Sequence, residues 1–191
     1  MKMKKILAAA LAAVMLLSLA ACGKDNSGSS PGSSTGENLK ASDVKLEEFN
    51  AAFGVFVNAS AGDLSVVNTQ DFDKDGYKGT RMLLTTTYIT SPAVLYAYCN
   101  DDGYITLVSI AAERDDDNKL ARADLTVLAQ LALMSLGVDY SATDGLSSKL
   151  ISAASASADG DKANSAVDVG AWRMLADVSD KANTYLIYAK S

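Results

Sequence analysis

Histidine is missing from all 191 residues. Its absence removes Ser-His-Asp and Cys-His catalysis, and imidazole metal sites with them. Cysteine occurs only at Cys22 and Cys99, and proline only at Pro31 and Pro92. Basic residues are outnumbered, 17 against 23 acidic, for a formal charge of −6. A balance of that sign disfavours nucleic acid, anionic lipid surfaces and other polyanions as partners. One long apolar run is present, at residues 6–17, and it falls short of the ~20 residues a membrane-spanning helix needs. No internal repeat is visible.

That run follows Lys2, Lys4 and Lys5 and ends near the small residues Ala20 and Ala21. A basic start, a short apolar segment and a small-residue site describe a secretory signal. Leu19-Ala20-Ala21-Cys22 closes it and resembles the lipobox of bacterial lipoproteins. The resemblance implies cleavage before Cys22 and lipidation of Cys22 with a palmitate-type diacyl or triacyl anchor. It further implies a chain held at the extracytoplasmic face of the cell membrane. Residues 1–21 are then the signal peptide. Two or more acyl chains hold far better than one, since each buried methylene contributes about 0.8 kcal/mol. Three of the seventeen basic residues leave with the signal, so the mature balance is fourteen against twenty-three, or −9. With Cys22 acylated, Cys99 has no intramolecular disulfide partner. It sits in the apolar run 94–99 and reads as a small buried hydrophobe, or else as a reactive thiol or intermolecular bridge.

Residues 22–41 form a Gly/Ser-rich tether that cannot bury apolar surface. The remaining stretch, 42–191, is long enough for one domain that buries close to ~70% of its unfolded surface. Ser42 is positioned to cap a helix beginning at Asp43. Leu46, Phe49, Phe53 and Phe56 recur at spacings of three and four, which draws one apolar stripe. Strands are expected at 64–70 and 80–90, broken by Ser91-Pro92. Runs at 94–99 and 104–111 flank Asn100-Asp101-Asp102-Gly103, a hairpin signal. A two-residue loop there pairs Tyr98 with Leu107 and Ala97 with Val108. A four-residue loop shifts that register.

Asp115, Asp116 and Asp117 precede a helix over 118–136 and suit its dipole. Its wet stripe is Lys119, Arg122, Thr126 and Gln130, and the rest is apolar, so it reads as the core helix. A second helix begins at Thr143 or Asp144, with Leu146, Leu150, Ala153 and Ala154 on one face. Ser157 interrupts that face, and Gly160 ends the helix. In the tail, Val167 and Val169 alternate with polar residues. Trp172, Met174 and Ala176 share a face opposite Arg173 and Asp177. After a turn at 180–183, strand 184–189 closes the chain. Strands in runs predict an α+β fold. The expected architecture is an antiparallel sheet of five to six strands, with an N-terminal helix and a central helix pair on one face. The lipobox, the tether, the Asp102-Gly103-Tyr104-Ile105 hairpin and the aromatic closing strand are similar to small extracytoplasmic lipoproteins of Gram-positive bacteria.

Three constellations bear on chemistry. Asp71, Asp73 and Asp75, followed by Gly76 and Tyr77, resemble the first half of an EF-hand loop, with alternating carboxylates and the Tyr77 carbonyl as calcium ligands. The twelfth position, where that loop needs a bidentate Glu, is Met82. The competing reading is a solvated acidic turn between strands. Ser42-Asp43-Val44-Lys45 matches S-x-x-K, but neither S-D-N nor K-T-G accompanies it. Tyr96 and Tyr98 share one face of a strand and Tyr104 starts its partner, so a face left bare of helices would present an aromatic binding surface. No catalytic residue and no cofactor other than calcium is assigned. The expected function is a non-catalytic binding module for a cell-envelope component or protein partner. The alternatives are a small-solute-binding lipoprotein and a carboxylate-based cell-envelope enzyme, the latter needing two opposed acids.

Overall fold

A computed structural model describes residues 39–60, 64–85, 92–113, 119–179 and 182–190, with side chains of 119–124 excepted. Expectations for the signal peptide, Cys22, most of the tether and Asp115–Asp117 lie outside these residues. The described residues from Lys40 onward belong to one compact unit.

The unit is α+β. Helix α1 (Leu46–Ala59) leads into strands β1 (Ser65–Lys74), β2 (Tyr77–Thr85), β3 (Ala93–Cys99) and β4 (Ile105–Glu113). Helices α2 (Lys119–Ser135) and α3 (Leu146–Ala158) follow, then β5 (Ala166–Val169), β6 (Trp172–Val178) and β7 (Ala182–Ala189). All seven strands join one sheet in the order β1-β2-β3-β4-β7-β6-β5. Every neighbouring pair is antiparallel. Seven strands replace the expected five to six. β1 and β2 also run further than expected, with residues 71–74 continuing β1 and Tyr77 opening β2 on either side of Asp75-Gly76.

The helices cover one face. α1 packs on β1 and β3, α2 on β4 and β7, and α3 on β5 and β6, with α2 also against α1 and α3. Alternate residues of the strands point into this layer: Met82 and Leu84, Leu95 and Ala97, Val108 and Ile110, Met174 and Ala176, Tyr185 and Ile187. Period-two alternation thus decides which half of each strand is core. β4, with neighbours on both sides, is buried from Ile105 through Ala112. Val94, Leu107, Ala111 and Leu186 are also buried, but on the opposite side of the sheet and outside the main core cluster.

Several local expectations shift. α1 starts at Leu46, not Asp43, because residues 42–45 are engaged as extended chain. Ser42 N–H donates to the Ile105 carbonyl, Ile105 N–H to Val44, and Leu46 N–H to Gly103. The Glu48 carboxylate then accepts from Lys45 N–H at 3.1 Å, serving an end group that the helix leaves open. Val57, rather than Phe56, completes the buried stripe with Phe49 and Phe53, whose rings stack at 5.8 Å. On α2, Thr126 is buried and Val127 is 47% exposed, so the wet stripe lies elsewhere than Thr126 predicts. Gln130 keeps a polar role by donating to Thr143 Oγ1 at 2.7 Å. α3 begins at Leu146 after Gly145, whose φ of 68° suits glycine. Its expected face is buried as read, and Ser157 interrupts it for a reason: its hydroxyl accepts the Val178 N–H of β6 at 3.0 Å.

Gly79 in β2 is a close-approach position. A Cβ there would strike the Ala97 carbonyl oxygen and come within 3.1 Å of the Phe72 ring. Gly54 in α1 has open space around its would-be Cβ. Gly79→Ala should therefore lower stability by about 1–3 kcal/mol through overpacking. Gly54→Ala should raise it by about 0.5–1 kcal/mol through helix propensity. Urea denaturation of both variants checks the pair, and equal effects would refute the close approach.

Candidate binding surface on the sheet

The two hairpins of the N-terminal meander build the surface. Lys74 pairs with Tyr77, leaving Asp75-Gly76 as a two-residue turn. Both central residues have positive φ, 57° for Asp75 and 79° for Gly76, as a type I′ turn requires. The same Asp-Gly dipeptide that suggests a calcium loop is here a hairpin turn. Asp71 and Asp73 consequently stand on β1, opposite Thr80 and Lys78, and Asp75 sits at the tip beside Lys74. Among the described residues no three His, Cys, Asp or Glu side chains converge where a metal could be held.

At the second hairpin, Gly103 N–H donates to the Asn100 carbonyl and Asn100 N–H to Tyr104. With Gly103 at φ 83°, this is a three-residue loop followed by a bulge. Cys99 pairs with Ile105, the register then shifts, and Tyr98 meets Leu107 while Ala97 meets Val108. The register drawn for a two-residue loop is thus reached through a different turn, because the bulge adds back the missing residue.

Tyr96 and Tyr98 point to the face away from the helices. Their rings stack at 6.0 Å, 18° from parallel. Phe72 of β1 meets them edge-on, at 6.0 Å from Tyr96 and 5.5 Å from Tyr98. Tyr77 of β2 adds a further edge contact to Tyr98 at 6.0 Å, and the Arg81 guanidinium lies 6.0 Å from the Tyr96 ring. Gly79, facing Phe72 and Tyr98 across the strands, leaves the room these rings fill. Such edge and offset contacts suit the ring quadrupoles. All four rings are half-buried.

Tyr104 is not part of this group. It bridges to Lys45, whose Nζ lies 5.6 Å from its ring centre, at the start of α1. Conversely, Phe72, Tyr77 and Arg81 belong to the cluster, although residue pattern points to Tyr77 only as a calcium ligand through its carbonyl and to Phe72 and Arg81 not at all. The signal was present: Asp75-Gly76 read as a hairpin turn places Phe72 and Tyr77 on the face that Tyr98 occupies.

On the other side of the hairpin tips, an open groove of about 570 Å³ runs beside the first turn of α1. Glu47, Asp71, Asp73, Asp101 and Lys78 line it. Asn50 Nδ2 donates to Thr80 Oγ1 at 2.9 Å, and the buried Thr80 hydroxyl donates to Asp71 at 2.8 Å. The chain of bonds ties α1 to β1 and β2. Cys99 borders this groove half-buried; its thiol lies 3.6 Å from the Lys78 carbonyl. Burial pushes that thiol upward, Asp101 and Asp73 add to the rise, and Lys78 opposes it. At the far end of the sheet Arg173 grips Asp168 through two bonds of 2.8 and 3.1 Å. Those bonds hold the Asp168 carboxyl below the usual range.

Comparison with known proteins finds no match: no family model, no curated protein and no solved structure matches the chain.

Burial, reinforced by Tyr96 and Tyr77, raises the Tyr98 phenol well above the usual tyrosine range. A folded value above the unfolded one, near ~10, lends stability that is complete below about pH 10 and declines as pH rises toward the folded value. Tyr98→Phe should flatten the alkaline fall in urea midpoint between pH 9 and 11. A variant with the wild-type slope would contradict this assignment. The strand placement of Asp71 and Asp73 also predicts that millimolar calcium leaves the melting temperature unchanged. A calcium-dependent rise that Asp73→Ala abolishes would instead restore the calcium site.

Proposed function

We propose that the protein is a lipid-anchored extracytoplasmic lipoprotein whose folded domain is a non-catalytic binding module. Its partner is a cell-envelope component or an envelope protein. The observation that carries the reading is the cluster of Phe72, Tyr77, Tyr96 and Tyr98 on the sheet face opposite the helices. Tyrosine offers large, rigid contact area with a polar tip and few torsions to freeze on binding. The rings already lock one another in place, so the ordering cost of association is reduced. An acidic mature chain, at −9, suits neutral or basic partners over polyanions.

Anchoring is inferred from the Leu19-Ala20-Ala21-Cys22 motif. Among the described residues no helix is long and apolar enough to cross a membrane. Glycan hydrolysis by opposed carboxylates needs one acid whose pKa is raised by burial. Every described Asp and Glu side chain retains solvent contact, which favours binding over that chemistry. A small-solute-binding lipoprotein is the second reading, favoured by the groove beside Asn50, Thr80 and Asp71.

Tyr96→Ser with Tyr98→Ser should cut capture of a purified envelope fraction at least ~10-fold, the scale of losing a central aromatic anchor. Circular dichroism establishes that the double variant is folded. Undiminished capture by a folded variant would discard the surface. Cys22→Ala should release the protein from the membrane fraction, and mass spectrometry of the wild type should show a cleaved, acylated N-terminus. An unmodified, uncut start would end the lipoprotein reading.

A further inference from the structure

We draw no further inference here: the strongest candidate, the helix-free side of the sheet around the fully buried Ser109 hydroxyl, which has no hydrogen-bond partner, carries no proposal because nothing in the structure shows what covers it.

Discussion

The antiparallel pairing of β4 with β7 joins the two parts of the sheet. Strands β1–β4 form one meander and β5–β7 another, and the two meet only along this pairing, from Leu107 with Tyr188 to Glu113 with Ala182. Without it each meander would carry an open edge with unpaired backbone groups. With it, β4 becomes the middle strand of seven and is buried on both sides. The helices α2 and α3 occupy the sequence between the two meanders, and packing on β4–β7 and on β5–β6 buries their apolar faces. Long-range strand pairing of this kind gains nothing until the intervening loop has closed. The sheet centre and the helix layer therefore depend on one another.

A second constraint acts at the hairpin tips. Asp75-Gly76 and Gly103 hold positive φ, and each sets a register that decides which side chains meet. Because a one-residue slip turns every side chain to the other face, these turns determine whether Phe72, Tyr96 and Tyr98 gather at all. Gly79 completes the arrangement by leaving its position empty under the Phe72 ring. The aromatic cluster thus follows from turn chemistry and one missing side chain rather than from aromatic content. On the helix side, the Asn50–Thr80–Asp71 chain fixes α1 to the same hairpin. Both faces of the hairpin are thereby held, which gives the ring cluster a rigid base.

Much of the secondary structure can be read from residue pattern. Trp172, Met174 and Ala176 face the core as their alternation requires. The apolar face of α3 is as its spacing indicates, since amphipathic periodicity directly reports burial. Boundaries are less legible. The start of α1 depends on hydrogen bonds to residues 103–105, some sixty positions away, which neighbours along the chain do not disclose. Thr126 reads as solvated but is buried, since a helix packed between α1 and α3 buries positions that a single stripe assigns to water.

By itself the sequence determined the class of fold, the buried faces of β5, β6 and α3, and the hairpin near Asp102-Gly103. These rest on alternation, helical spacing and the φ preferences of glycine, all properties of neighbours along the chain. The absence of histidine and the acidic balance likewise follow from composition alone. Only the tertiary structure decided the strand order, the β4–β7 junction and the gathering of Phe72, Tyr77 and Arg81 around Tyr96 and Tyr98. It also sent Tyr104 away from them toward Lys45. The physical reason is that registers and bulges translate small local choices into cross-strand neighbours, and those neighbours are distant in sequence.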